Sequence, residues 1–211
     1  MSTTTVRNII DTSTDTGKLS GLSAQIIQKF NEIVTAELSI SMKDFSDLSH
    51  LEFLANEPGR KVNTLLQEAA KESLKKVIQD HPEKNPIFIN SAYRTVAQQY
   101  FLHQLSLAGR GAGANRPGTS SHEDGLALDI KNHQEWKKAL INNGWVRPFL
   151  PQEPWHFSFQ AGTNSSAIKE IGVKAFQKLW NEKNPNDQIE VDGDFGTNTE
   201  KRMDKSPAAG F

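Results

Sequence analysis

Apolar residues recur at helical spacing in several stretches of this chain. Between Ser20 and Val34 they return every three or four positions, which predicts an amphipathic helix of about four turns. The same spacing over residues 62–79 predicts a second helix with one apolar face. Similar patterns predict helices over residues 96–108 and 134–143, the latter closed by Gly144 as its C-terminal cap.

Short apolar runs between these helices predict strands. Residues 86–90 and 126–129 read as buried strands, and the alternation in residues 156–159 reads as another. Helices interspersed with few strands predict an α+β domain. Trp136 and Trp145 are expected in its core.

The pattern divides the chain into three parts. Residues 1–19 are rich in Ser, Thr and Asp and are expected to form a flexible arm. Residues 20–160 form the main domain, and a small polar linker leads to a helical unit over residues 167–211. A length of 211 residues suffices for one full domain with a small appendage.

Composition excludes several classes of protein. A formal net charge of -1 gives no reason to expect binding to nucleic acid or to an acidic membrane. The absence of cysteine excludes disulfides, thiolate nucleophiles and thiolate metal ligands. No segment approaches the ~20 apolar residues of a membrane span, and the first residues lack the apolar run of a secretory signal.

The stretch from Ser120 to His156 contains the candidate chemistry. His122 and Asp129 stand at the two ends of a loop and strand, and His156 begins the next predicted strand. Two histidines with one carboxylate leave a zinc coordination position open, which is typical of catalytic zinc. Glu153 precedes His156 in a proline-flanked loop, near enough to reach a zinc-bound water without being a ligand.

Two alternatives apply to this stretch. The histidines could be ordinary loop residues, with Asp129 a turn residue at the end of a strand. Glu123 and Asp124 are rivals to Glu153 as the base, because they adjoin a candidate ligand.

The motifs resemble a known family. The pattern SxHxxGxAxD over residues 120–129, followed by ExxH over residues 153–156, resembles the zinc D-alanyl-D-alanine carboxypeptidases that include the vancomycin-resistance D,D-peptidases. Residues 91–95, with two glutamines shortly after, resemble the SxYR element of that family. The resemblance covers roughly residues 65–159. It implies a hedgehog/DD-peptidase-like α+β fold, in which a small antiparallel sheet carries the zinc site and helices pack around it.

The resemblance also implies roles for individual residues. His122, Asp129 and His156 would bind Zn2+, and Glu153 would be the general base. Arg94 would contact the substrate or the developing oxyanion. The expected substrate contacts are Ser120, Tyr93, Gln99 and Trp155.

These assignments predict a zinc-dependent peptidase acting on peptidoglycan or muropeptides. The expected reaction removes the terminal D-Ala from D-Ala-D-Ala, at a site of action in the cell wall or periplasm. One alternative is a cell-wall endopeptidase of the phage endolysin type. Another is a non-catalytic, zinc-containing protein that binds peptidoglycan.

The C-terminal unit has its own resemblance. A helix carrying Phe176 and Gln177, followed by the DGDFGTNT run of residues 192–199, resembles a peptidoglycan-binding helical module. Gly193 would permit the tight turn of that run. The alternative is a helical appendage that packs on the catalytic domain and buries Phe176, Leu179 and Trp180 there.

Overall fold

The computed structural model describes residues 3–54, 62–163 and 165–211. Within these ranges the helices are α1 Val6–Thr12, α2 Ser20–Leu38, α3 Glu68–Gln79, α4 Val96–Leu107, α5 His133–Asn142, α6 Ser165–Lys183 and α7 Thr197–Lys205. The strands are β1 Met42–Asp44, β2 Leu51–Phe53, β3 Leu65–Gln67, β4 Ile87–Ser91, β5 Ala127–Ile130, β6 Trp145–Val146 and β7 His156–Phe159. The predicted α+β class is confirmed.

A mixed sheet forms the centre of the domain. Its five strands lie in the order β2-β4-β5-β7-β6, with β2 and β4 parallel and the other neighbours antiparallel. The two strands that carry candidate ligands, β5 and β7, are therefore direct neighbours. Strands β1 and β3 form a separate antiparallel pair.

Two hydrophobic clusters stabilise the fold. One joins the central sheet to α3 and α5, and includes the fully buried Trp136 and Trp145 that the sequence predicts as core. The other joins α1, α2, α4, α6 and α7 around residues such as Phe30, Tyr100 and Phe176. The central sheet and the helical layer thus have distinct apolar cores.

The predicted helix over residues 62–79 is wrong in its first part. Residues 65–67 form β3, and the helix begins only at Glu68. Strand β3 pairs with β1, so that Leu66 lies opposite Lys43, and the Gln67 amide also donates to the Gly125 carbonyl. These partners are distant in sequence, and their hydrogen bonds outweigh the local helical spacing of the apolar residues.

The expectation of a flexible N-terminal arm also differs from the structure. Residues 6–12 form α1, which begins with a capping box between Thr5 and Asn8 and buries Val6 and Ile10. The Val6 amide donates to the Ser206 carbonyl at 2.9 Å. This segment is fixed by packing and by backbone contacts with the C-terminal end of the described chain.

The C-terminal helices have the arrangement that the packing alternative predicts. Phe176, Leu179 and Trp180 are buried in the cluster that α6 shares with α2. Gln177 Nε2 donates to Asp192 Oδ1 at 2.7 Å, and the Gly193 amide donates to Gln177 Oε1 at 2.9 Å. The residues of the predicted wall-binding motif therefore stabilise the connection from α6 to α7, while wall binding itself stays a prediction.

No helix in the described ranges is both long enough and apolar enough to cross a bilayer.

Candidate metal centre and active-site cleft

The three predicted ligands come from adjacent positions on the central sheet. Asp129 in β5 lies directly opposite His156 in β7, and side chains of directly paired residues project to the same face. His122 belongs to the turn that precedes β5, and its carbonyl accepts the Arg94 amide at 3.1 Å. The sheet register and this turn together bring the three side chains to one point.

The ligand atoms of these residues converge closely. His122 Nε2 lies 3.3 Å from His156 Nδ1 and 3.4 Å from Asp129 Oδ2, and His156 Nδ1 lies 3.1 Å from Asp129 Oδ1. Four ligands at zinc bond lengths of about 2.0–2.1 Å in a tetrahedron stand about 3.3 Å apart. All three residues are buried. The donor set and its spacing therefore fit a zinc ion.

Hydrogen bonds orient the two imidazoles for metal binding. His122 Nδ1 lies 2.7 Å from the Ala92 carbonyl, which can only accept, so Nδ1 carries the proton and Nε2 keeps a lone pair for the metal. His156 Nε2 lies 2.9 Å from Ser158 Oγ, which leaves Nδ1 directed at the cluster. Both rings thus direct one nitrogen to the common point.

The charge states suit a metal site as well. Burial, together with the charge of Arg94, lowers the pKa of His122 and keeps its imidazole neutral at neutral pH. Burial would raise the pKa of the Asp129 carboxyl, but the histidines and Arg94 outweigh it and hold this pKa well below its usual range. Metal ligands must be deprotonated, and both pKa shifts favour the deprotonated form.

The turn that carries His122 is organised by Glu123. Its carboxylate accepts the Gly118 amide at 2.9 Å and the Ser120 amide at 3.0 Å, and burial raises its pKa to about 7. Glu123 is only 3% exposed. These contacts give it a structural role and do not support the alternative in which it is the base.

Gly125 is required at the end of this turn. It has a φ of 70°, and a Cβ there would stand 2.0 Å from Met42 Cε and 3.2 Å from the Gln67 amide nitrogen. Only glycine combines this backbone conformation with so close an approach of β1 and β3. The glycine of the sequence motif therefore has a steric explanation.

The candidate ligands lie at the wall of an open cleft with a volume of about 810 Å³. Its lining includes residues of α4, residues 111–115 and residues in the range 148–155. Glu153 lines this cleft and is half-buried. In residues 3–54, 62–163 and 165–211, no hydrogen bond or ion pair engages its carboxylate, in contrast to that of Glu123. Glu153 is thus available to act on a molecule in the cleft.

The structure separates the other predicted site residues into two groups. Arg94, Ser120, Gln99 and Trp155 line the cleft. Tyr93 does not: it is 2% exposed and its ring packs against Phe30, with centroids 5.5 Å apart. The expectation that Tyr93 contacts substrate is corrected, because its side chain is in the helical core.

Gln99 has an unsatisfied buried atom. Its Nε2 donates to the Asn115 carbonyl at 2.8 Å, whereas its Oε1 is buried without a hydrogen-bond partner in the described part of the chain. A buried polar group without a partner is costly, so such a group in a cleft wall indicates a place for a ligand donor.

Sequence reasoning missed the apolar rim of the cleft. Leu107, Phe149 and Leu150 line it and are 69%, 40% and 51% exposed. Periodicity identifies apolar residues that face a core, and it gives no signal for apolar side chains at a cleft mouth, whether they lie in a turn, as Phe149 and Leu150 do, or at the end of a helix, as Leu107 does.

The fold and the cleft define an α+β domain with a candidate metal centre of two histidines and one carboxylate. The family model VanY, D-alanyl-D-alanine carboxypeptidase, matches residues 63–149, which is less than half of the chain. Arg94, His122 and Asp129 lie inside the matched segment, while Glu153 and His156 follow it. No curated protein matches the chain.

Proposed function

We propose that this protein is a zinc-dependent carboxypeptidase that removes the terminal D-Ala from cell-wall peptides ending in D-Ala-D-Ala. The observation that carries the proposal is the convergence of His122, Asp129 and His156 beside the uncommitted carboxylate of Glu153 in one cleft. The VanY match supports the substrate class.

His122, Asp129 and His156 would hold the metal in this reaction. A bound zinc ion would supply a Lewis acid for the scissile carbonyl and lower the pKa of a coordinated water to about 7. Glu153 takes a proton from the attacking water and passes it to the leaving amine as the peptide bond breaks. Its half-buried position in the cleft wall suits both transfers.

Arg94 has a restrained position beside the metal ligands. Its Nη2 donates to Asp129 Oδ2 at 2.8 Å and its Nε donates to Ser91 Oγ at 3.0 Å. A guanidinium held in this way is a fixed cation in the cleft wall, suited to a substrate carboxylate or to the tetrahedral oxyanion.

The remaining contacts orient the substrate. Gln99 Oε1 accepts a substrate N–H, which would supply its missing partner. Trp155, 40% exposed in the cleft wall, packs against apolar substrate atoms. Ser120 lines the cleft, although its Oγ also accepts the His122 amide at 3.3 Å and so shapes the turn.

Mass spectrometry of a digested peptide tests the proposed reaction. A soluble peptide ending in D-Ala-D-Ala, incubated with the zinc-loaded protein, is expected to lose one residue and release free D-Ala. A peptide ending in L-Ala-L-Ala is the matched control. Cleavage at an internal bond, with the terminal dipeptide intact, would contradict the carboxypeptidase assignment.

An endopeptidase is the second candidate function. The cleft volume of about 810 Å³ and its exposed apolar rim provide space for substrate on both sides of the cut bond. A chain that continues beyond the scissile bond could then be accommodated.

The terminal carboxylate distinguishes the two functions. If Arg94 pairs with it, amidating the substrate C-terminus should reduce kcat/KM by about 10- to 100-fold, since charge-assisted hydrogen bonds contribute about 1.5–3 kcal/mol. Arg94→Lys should lower the rate on the free-acid substrate and reduce the enzyme's preference for that substrate over the amide, because lysine lacks the planar fork of guanidinium donors. Equal rates of the wild type on both substrates would favour the endopeptidase.

A further inference from the structure

We propose that α6 positions the turn that carries the metal ligand His122, by means of Lys169 and Ser165. The C-terminal segment would then contribute to the geometry of the metal site. The proposal rests on the proposed metal site, and it assigns roles to two residues outside the segment that matches the peptidase family.

Asp124 is the point at which α6 meets this turn. Lys169 Nζ lies 3.1 Å from Asp124 Oδ2, and Ser165 Oγ donates to the same oxygen at 2.5 Å. The other oxygen, Oδ1, accepts the Leu126 amide at 3.1 Å. One carboxylate, only 1% exposed, therefore joins two side chains of α6 to the backbone of the turn.

Gln67 holds the same turn to the residues that precede α6. Its Nε2 donates to the carbonyls of Asp124 and Thr163 at 3.0 and 3.2 Å, and its Oε1 accepts the Thr163 amide at 3.0 Å. The Gln67 amide donates to the Gly125 carbonyl at 3.0 Å. The turn is thus fixed on one side by β3 and on the other by α6.

Displacement of Asp124 would be transmitted to the metal site over a short path. His122 is two residues away, and the turn that contains it is closed by the Glu123 amide, which donates to the Ser120 carbonyl at 3.1 Å. Residues that orient metal ligands typically contribute 10- to 100-fold to metal affinity or activity. A buried carboxylate that loses its cation is strongly destabilised, so Asp124 would not keep its position without Lys169.

The chain offers a matched control on the same helix. Lys174 pairs with Glu170 at 2.6 Å, and its side chain is 21% exposed, against 19% for Lys169. Both lysines belong to α6 and both form an ion pair, but Lys174 does not contact the turn. Lys174→Met therefore reproduces the chemical change without the proposed connection.

Zinc affinity of the full-length protein tests the proposal without any substrate. Chelator competition measures the dissociation constant for zinc. Relative to wild type, it should be about 10- to 100-fold higher in Lys169→Met, nearly the same in Lys169→Arg, and unchanged in Lys174→Met. Ser165→Ala leaves the ion pair of Lys169 with Asp124 in place, so it should raise the dissociation constant for zinc by a smaller factor. A thermal melt of each variant checks that the protein is folded at the temperature of the titration.

The outcomes separate this proposal from the proposed function. If Lys169→Met binds zinc as tightly as Lys174→Met, then α6 does not position the metal site and the proposal is overturned. Should Lys169→Met not fold, the same comparison is made with Ser165→Ala. If the wild type binds zinc and the variants weaken it, but no D-Ala is released, the positioning role stands and the proposed reaction fails.

Discussion

His122→Ala, Asp129→Ala and His156→Ala are each expected to abolish stoichiometric zinc binding and peptide hydrolysis. The wild type should retain about one zinc per chain. Each substitution leaves two protein ligands, fewer than the three that catalytic zinc sites use. Among the described residues, these three form the one group of His, Asp or Glu side chains whose ligand atoms all lie within 4.8 Å of one another, so no fourth side chain stands ready to replace a lost ligand. Metal analysis after dialysis measures the zinc content directly.

A histidine outside the cluster provides the control for this loss. His81 Nδ1 lies 3.5 Å from Glu83 Oε1, and His81 does not line the cleft. His81→Ala should therefore keep both the zinc and the activity. Retention of about one zinc per chain by His122→Ala would contradict the ligand assignment.

Glu153→Gln is expected to lower kcat by about 10²- to 10⁴-fold, the usual contribution of a general acid or base, while zinc content stays near one per chain. Glutamine preserves the size of the side chain and its hydrogen-bonding reach, but its amide cannot take a proton from water. Because Glu153 is not a ligand in the proposed site, its replacement should leave His122, Asp129 and His156 in place. The kinetic constants and the metal content of the same preparation test both statements.

The matched change at another carboxylate separates a catalytic loss from a change in charge. Glu52 lies in β2, is exposed and does not line the cleft, so Glu52→Gln should have wild-type kinetics. Near-normal turnover of Glu153→Gln would show that the base is another group. Glu123 is a poor substitute, because its carboxylate already accepts the Gly118 and Ser120 amides.

The sequence predicts those parts of the fold that depend on neighbouring residues. The spacing of apolar residues predicts α2, α4 and α5 to within a few residues, and the apolar runs predict β4, β5 and β7. The three candidate ligands that the sequence indicates lie together in the structure. Two of them, Asp129 and His156, stand at paired positions of β5 and β7. Local patterns suffice where the structure is decided locally.

The parts that sequence reasoning missed depend on partners distant in the chain. Strand β3 exists because residues 65–67 pair with β1, and its apolar positions alone favour a helix. Helix α1 is short and follows a polar stretch, and its stability comes from contacts such as the Val6 amide with the Ser206 carbonyl. An isolated helix of seven residues is not stable in water, so tertiary contacts decide it.

The side chains around the metal centre also depend on partners distant in the chain. Tyr93 stands next to Arg94 in the sequence motif, yet one side chain enters the helical core and the other lines the cleft. The contact of Lys169 with Asp124 joins residues of two predicted domains. No pattern within either segment indicates such a contact, because it is created by the packing of α6.

Zinc reconstitution tests whether bound zinc is required for the proposed release of D-Ala. The metal is removed from the full-length protein with a chelator, zinc is returned in increments, and D-Ala release from a peptide ending in D-Ala-D-Ala is followed. We expect no activity without metal, a rise in proportion to bound zinc, and a plateau at about one equivalent per chain. Full activity of the zinc-free protein, or zinc binding that restores no D-Ala release, would contradict this expectation.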